Sequence, residues 1–113
     1  MAKVIISKEL KDDILKKFKE ESKKIFKLMH SFGENPKKGK SVGQVGGILI
    51  KELKYKSFRF YCITDGFKLK ILNLEELSDL LIKFVRMSDK KDQQKVINEI
   101  KGVLRKVGKD AFE

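Results

Sequence analysis

The stretch that decides the fold is ILIKELKYKSFRFYCITD, residues 48–65, in which apolar and polar side chains alternate. A period of two is typical of strands that bury one face against a core. It predicts two paired strands, Ile48–Tyr55 and Ser57–Thr64, joined by a turn at Lys56. In the second strand one face carries Phe58, Phe60 and Cys62, and the other carries Arg59, Tyr61 and Ile63.

A third strand is predicted directly after this pair, over Phe67–Leu72. Asp65-Gly66 separates it from the second strand, and this dipeptide is a strong signal for a hairpin turn. Val4–Ile6 is apolar and predicts a short opening strand near the N-terminus.

The N-terminal part of the chain has helical spacing. Apolar residues recur at intervals of three and four from Leu10 to Phe32, and Ser7 is predicted to be the N-cap. A polar gap at Lys19–Lys24 leaves either a helical hairpin or one long helix, of which the hairpin is favoured. Gly33 and Pro36 end the helical pattern, and the glycine-rich residues 33–47 are predicted to be a loop.

The C-terminal part contains one ambiguous segment and one clear helix. Residues 73–88 fit either a helix capped by Asn73 or a fourth strand over Leu80–Met87, since a short apolar run suits both. The final helix is predicted over Asp89–Val107, with Ser88 as its N-cap and Gly108 after its end.

Composition predicts a single cationic domain, residues 1–113. Lys and Arg total 27 against 16 Asp and Glu, a net charge of +11. Such a surplus attracts phosphate polymers, although Lys/Glu-rich and Cys-poor chains are also typical of thermophiles. The lone Cys62 permits no internal disulfide, and no apolar run approaches a membrane span or a secretory signal. We therefore expect a soluble cytoplasmic protein with no membrane partner.

Several chemistries lack the residues that they need. His30 is the only histidine and Cys62 the only cysteine, so a zinc cluster or a catalytic triad is not expected. The stretch Gly33–Ser41 has glycines and lysines like a nucleotide-binding loop, but its glycine spacing is one residue too long and no strand precedes it. We expect no metal and no cofactor.

Basic side chains are interspersed among the apolar residues of the predicted strands. They are Lys51, Lys54, Arg59, Lys68, Lys70, Lys83 and Arg86. One interpretation is the solvent face of a one-sided antiparallel sheet. The other is a concave cationic face that cradles a backbone phosphate while Tyr61 stacks on an unpaired base. The second interpretation explains why nearly all of these charges are positive, with Glu52 as the main exception.

The order of elements and several short segments resemble the RelE/ParE toxin superfamily, including its HigB-like and phage-derived branches. The matching segments are the helices ending at Asn35-Pro36, the strand Ile48–Lys54, Phe58-Arg59-Phe60-Tyr61 (similar to the family's Tyr-Arg-x-x-Tyr strand), Phe84–Ser88 and Asp89–Gln93. The resemblance covers nearly the whole chain and favours a strand for Leu80–Met87. It implies an α+β fold, in which an N-terminal helical hairpin packs on a curved, mostly antiparallel sheet of three to five strands followed by a C-terminal helix.

The resemblance also implies an activity. RelE-like members cut mRNA in the ribosomal A site without metal, by attack of a ribose 2′-OH on its own phosphodiester, and an acidic antitoxin silences them. The implied function is thus the toxin of a type II toxin–antitoxin system, a ribosome-dependent mRNA endoribonuclease. Its partners would be mRNA on the ribosome and an acidic antitoxin protein. By position the catalytic residues would be Arg59 and Arg86, and the RNA-binding residues would be Lys51, Lys54, Tyr61, Lys90 and Lys91.

One departure from the family pattern keeps an alternative open. Many active members carry a Tyr or His near the end of the last strand or in the C-terminal segment, where it serves as acid or base. After Arg86 this sequence has neither. The alternative is a non-catalytic member that binds nucleic acid or inhibits a protein target such as gyrase.

Overall fold

Strands alternate with helices in the computed structural model, which describes residues 1–108, 110 and 112. The strands are β1 (Lys3–Ile6), β2 (Lys40–Val45), β3 (Ile48–Tyr55), β4 (Phe58–Asp65) and β5 (Leu81–Asp89). The α-helices are α1 (Lys8–Phe18), α2 (Ser22–Ser31), α3 (Gly66–Ile71) and α4 (Gln93–Val107). Short 3₁₀ helices cover Lys19–Glu21, Phe32–Glu34, Pro36–Lys38 and Leu74–Asp79. The predicted α+β class is confirmed.

The strands form one mixed sheet in the order β1-β5-β4-β3-β2. Strand β1 runs parallel to β5, and the other neighbours are antiparallel. The predicted pair of central strands is confirmed as β3 and β4, with the turn at Lys56 in a left-handed conformation (φ 54°). The sheet is therefore mostly antiparallel, with its one parallel pair at the β1 edge.

Helices cover both faces of the sheet because both faces are apolar. On one face Phe60 and Phe84 pack with Ile14 of α1 and Ile25 of α2, all fully buried. The opposite face packs against α4, whose residues Ile97, Ile100 and Leu104 recur at helical spacing and meet Ile50, Tyr61 and Val85 of the sheet. The predicted division of β4 into two faces is confirmed. It determines which side of the sheet each β4 side chain reaches.

The polar gap near the N-terminus marks a break between two helices. Ser7 caps α1 as predicted, since its hydroxyl accepts a hydrogen bond from the Leu10 N–H at 3.3 Å. Lys19 adopts a positive φ of 49° and begins the 3₁₀ helix that separates α1 from α2. The helix positions therefore differ in detail from the predicted hairpin, because a 3₁₀ helix joins the two helices at the gap.

The predicted strand Phe67–Leu72 is wrong, because that segment is the helix α3. Asp65 caps it, its carboxylate accepting a hydrogen bond from the Lys68 N–H at 3.0 Å. Carboxylates favour helix N-termini as well as turns, so Asp-Gly alone did not decide between them. Leu69 and Leu72 are buried while Phe67 and Ile71 are exposed, a helical distribution.

The predicted loop over residues 33–47 is only partly correct. Its second half is strand β2, which pairs with β3 through a two-residue turn at Gly46-Gly47. Gly46 has φ 57°, a conformation that glycine adopts without steric cost. Half of the β2 residues, Lys40, Ser41 and Gln44, are polar, which suits an edge strand.

The ambiguous segment contains a strand, as the resemblance favours. Strand β5 covers Leu81–Asp89, and Asn73 caps a 3₁₀ helix before it. The predicted N-cap role of Ser88 is wrong, since Ser88 lies within β5 and α4 begins only at Gln93. None of the described helices is both long and apolar enough to cross a membrane.

Candidate nucleic-acid interface

Cross-strand register gathers most of the predicted site residues on the α4 side of the sheet. Neighbouring residues in adjacent strands share a face. One row across β2, β3, β4 and β5 is Lys40, Glu52, Tyr61 and Arg86, and the next row is Lys54, Arg59 and Ser88. We call these seven residues the basic patch. It lies at the end of the sheet nearest the β3–β4 turn.

Arg59 is buried and paired with a carboxylate inside the basic patch. Its Nε lies 3.4 Å from Oε1 of Glu52, and the two side chains are only 9% and 7% exposed. A terminal nitrogen of Arg59 donates to the backbone carbonyl of Phe58 at 3.0 Å and to that of Lys56 at 3.4 Å. The charge that was predicted to face a scissile phosphate is thus offset by Glu52.

The Glu52 carboxylate is less well satisfied than its arginine partner. Its Oε1 receives no hydrogen bond from the described residues, although it lies within ion-pair distance of Arg59. The Arg59 N–H is not directed at this oxygen, so the contact is an ion pair without a hydrogen bond. The pair is therefore held by charge attraction in a buried setting and leaves one acceptor free.

Tyr61 is fully buried, so it offers no face to an RNA base. Its hydroxyl lies 2.7 Å from the Ser88 hydroxyl. Burial raises the pKa of Tyr61, so the phenol stays protonated at neutral pH. This placement corrects the expectation that Tyr61 stacks on an unpaired base.

Arg86 is the more accessible of the two predicted catalytic arginines. Its side chain is 31% exposed and its guanidinium lies 4.9 Å from the centre of the Phe112 ring. Glu9 approaches it only to 3.9 Å and is itself 75% exposed, so solvent screens that contact strongly. Lys54 is exposed, as are Lys90 and Lys91, which follow directly after β5 at the same end of the sheet.

Lys51 lies on the other face of the sheet and does not line the basic patch. It is opposite Cys62 in the register, on the side of α1 and α2. Its side chain is buried, its ammonium donates to the Pro36 carbonyl, and the ring of Phe32 lies 5.8 Å from Nζ. Burial lowers the pKa of Lys51 and raises the pKa of the Cys62 thiol to about 12. The predicted role of Lys51 beside Lys54 is corrected, because strand residues an odd number of positions apart point to opposite faces.

Three members of the basic patch were not predicted as site residues. Glu52 was noted only as an exception to the positive charge, Ser88 was assigned as a helix cap, and Lys40 fell in a predicted loop. What brings these three residues into the patch is the register between neighbouring strands. A single sequence does not show which strand residues lie opposite one another. Among the described residues no group of three His, Cys, Asp or Glu side chains could hold a metal ion.

The accessible side chains of the basic patch are cations, which suit an anionic group such as phosphate. Lysine ammonium groups attract phosphate as point charges, and the exposed edge of Arg86 adds a forked donor. The sequence has one histidine, His30, which lies on α2 at the other face of the sheet.

No family model matches this chain, and no curated protein or solved structure matches it significantly.

Proposed function

We propose that this protein binds RNA through the exposed lysines of the basic patch and the two lysines beside it. The observation that carries the proposal is the gathering of Lys40, Lys54, Lys90 and Lys91 at one end of the sheet. The carboxylate within the patch, Glu52, is already paired with Arg59. Asp89 borders the patch, and its carboxylate caps the turn before α4 by accepting the Asp92 N–H at 2.9 Å.

The expected mode of binding is contact with the phosphate backbone. Lysines that are exposed and separated along a surface neutralise successive phosphates and release their counterions. The buried Tyr61 supplies no stacking platform here, so the patch itself carries little information about base sequence. We therefore expect affinity that depends steeply on salt and weakly on sequence.

Removal of Lys54, Lys90 and Lys91 together by alanine substitution tests the proposal. We expect the affinity for a single-stranded RNA oligonucleotide to fall about tenfold or more at low salt. The slope of log affinity against log salt should become shallower by about 0.7 for each phosphate that the variant no longer neutralises. Fluorescence anisotropy at several salt concentrations measures both quantities.

A matched control removes the same charge from the opposite face. Lys16, Lys23 and Lys27 are exposed residues of α1 and α2, which pack on the other side of the sheet. Their triple alanine variant should keep the slope and most of the affinity. Equal losses in the two triple variants would mean that only net charge matters, and the proposal would be wrong.

Ribosome-dependent mRNA cleavage is a second candidate, favoured by one observation. Arg59 and Arg86 lie on adjacent strands within the basic patch, on the face where the RelE resemblance implies a phosphate site. Positive charge at that place would offset the charge of the pentavalent phosphorane. An acidic antitoxin that covers the patch would be the matching protein partner.

Mapping of mRNA 5′ ends in cells that express the protein tests cleavage. If the protein cleaves, codon-phased ends should accumulate, and Arg86→Ala should reduce them roughly a hundredfold, as loss of one charge-stabilising donor does. Arg86 is the better residue to change because it is partly exposed, whereas removal of Arg59 disturbs a buried pair. Intact mRNA under strong expression would exclude cleavage and leave the binding proposal standing.

A further inference from the structure

A separate cleft lies on the α1 and α2 side of the sheet, away from the basic patch. It has a volume of about 770 Å³ and is bounded by the 3₁₀ helix Pro36–Lys38, strand β2, the β2–β3 turn and α3. Such a volume is within the range of small-molecule sites. Its polar lining comes from Lys37, Lys51, Lys70, Ser41 and Gln44, and none of the described residues that line it is acidic.

Lys51 is a buried cation without a counter-ion. It is 2% exposed and forms no ion pair with a described carboxylate. Its one hydrogen-bond partner among the described residues is the Pro36 carbonyl, whereas an ammonium has three donors. Buried charges are ordinarily paired, so this lysine indicates that an anion supplies the missing charge from the cleft that it lines.

The position of Lys51 is fixed by close packing. A side chain on Gly39 would place its Cβ 2.5 Å from the Phe32 ring and 3.1 Å from Cε of Lys51. Glycine at this position therefore lets the chain pass close enough to enclose the lysine. Burial of the Lys51 ammonium without an acidic neighbour destabilises the folded protein. A role in binding an anion would explain why a lysine is present there.

The wall that α3 contributes is also held in place. The Gly66 N–H donates to the Gly47 carbonyl at 2.8 Å, which fastens the start of α3 to the β2–β3 turn. A Cβ at Gly66 would lie 3.2 Å from that carbonyl oxygen and 3.3 Å from Cβ of Leu49. The cleft is thus formed before any ligand enters, which lowers the free-energy cost of binding.

The rim of the cleft carries an exposed aromatic ring. Phe67 is 68% exposed, while Leu49 and Leu69 provide apolar surface beside it. A planar ring in this position can stack on another planar ring, and base–aromatic stacking tolerates any base. The lining therefore combines cations, which suit an anionic group, with an apolar surface, which suits a planar ring.

We propose that this cleft is a binding site for a 5′-phosphorylated nucleoside, with the phosphate near Lys51 and Lys70 and the base on Phe67. The ligand is either a free nucleoside monophosphate or the 5′ end of an RNA strand, because both present the same chemistry. The site is independent of the basic patch, which lies on the opposite face of the sheet. It therefore does not depend on the proposed function.

Isothermal titration with adenosine 5′-monophosphate tests the site. We expect saturable binding, with adenosine and inorganic phosphate each at least tenfold weaker, because each reaches only part of the cleft. Lys70→Met and Phe67→Ala should each weaken binding about tenfold, the effect of one charge-assisted contact or one stacked base. Lys51→Met should weaken it more than tenfold, because it removes the buried cation.

Matched controls lie on the same short helix. Lys68 and Ile71 are exposed residues of α3 that do not line this cleft, so Lys68→Met and Ile71→Ala should bind within twofold of the unsubstituted protein. The triple variant of Lys54, Lys90 and Lys91 should bind the nucleotide normally even where its RNA affinity is gone. Failure of this site and failure of the basic patch are thereby distinguished.

A second arm separates the two sources of the ligand. If the natural ligand is an RNA end, a 5′-phosphorylated oligonucleotide should bind more tightly than its 5′-hydroxyl form, and Lys51→Met should remove the difference. If it is a free nucleotide, the two oligonucleotides should bind alike while adenosine 5′-monophosphate still binds. Absence of both effects would overturn the proposal, as would equal weakening by Lys68→Met and Lys70→Met.

Discussion

Replacement of Arg59 by alanine is expected to lower the free energy of unfolding by about 3–5 kcal/mol, the usual effect of removing one member of a buried ion pair. The substitution leaves the Glu52 carboxylate, 7% exposed, without its cation. Oε1 of Glu52 already lacks a hydrogen bond from the described residues, so no neighbour compensates for the loss. Urea denaturation followed by circular dichroism measures the change.

Two comparison variants make this prediction specific to the buried pair. The double variant Glu52→Leu, Arg59→Met should recover most of the stability, because apolar residues of similar volume replace a buried pair with little or no cost. Lys56→Ala removes a cation from an exposed pair with Glu21, whose side chains are 63% and 45% exposed, and should cost far less. Equal losses for Arg59→Ala and Lys56→Ala would contradict the buried setting.

The pairing of Arg59 has a consequence for function. An arginine that stabilises the fold through Glu52 is available to a phosphate only if the carboxylate moves away from it. The exposed lysines and Arg86 have no such restriction, because none of them is buried. RNA binding through these side chains therefore needs no rearrangement, whereas catalysis through Arg59 would need one.

The sequence predicted the central part of the fold because alternation is unambiguous there. In β4 Phe58, Phe60 and Cys62 lie on one face, and Arg59, Tyr61 and Ile63 lie on the other. The period of two was therefore sufficient to assign each residue to its face. Ser7 was identified as a cap because an N-cap depends on local residues alone. The α3 segment was misassigned because Asp-Gly favours a hairpin, whereas here Asp65 caps a helix and the tertiary packing of Leu69 and Leu72 stabilises that helix.

The candidate site was predicted less completely, for a reason that lies in strand geometry. Lys54, Arg59 and Arg86 were predicted as site residues because they are basic and lie in predicted strands. The face on which each side chain lies, and how far it is buried, depend on which residues pack against each strand. Lys51 is three residues from Lys54 in the same strand and so points to the other face, where the 3₁₀ helices Phe32–Glu34 and Pro36–Lys38 enclose it. Single-sequence charge patterns do not distinguish a solvated lysine from a buried one.

Replacement of Lys51 by methionine is expected to raise the free energy of unfolding at neutral pH, by about 1–3 kcal/mol. Burial of an ammonium without a counter-charge costs several kcal/mol, and an apolar side chain of similar length avoids that cost. The loss of one hydrogen bond to the Pro36 carbonyl, worth about 1 kcal/mol, opposes the gain but does not cancel it. Thermal and urea denaturation of the ligand-free proteins measure the difference.

The pH dependence of this difference identifies the charge as its cause. Burial lowers the pKa of Lys51 in the folded protein, so between that pKa and the higher pKa of the unfolded chain the unfolded state binds more protons. The stability of the unsubstituted protein therefore rises with pH across this alkaline window. The methionine variant lacks that rise, so its advantage should be largest below the folded pKa of Lys51 and should shrink as the pH approaches the ordinary lysine value.

Saturation with adenosine 5′-monophosphate should reduce the advantage of the methionine variant, because a ligand stabilises only the folded protein that binds it. The unsubstituted protein should gain stability with ligand concentration, while Lys51→Met should gain far less at the same concentrations. A methionine variant that is less stable at every pH would show that the hydrogen bond of Lys51 outweighs the cost of its charge. In that case the ammonium would be a structural contact, and the buried charge would give no reason to place an anion at Lys51.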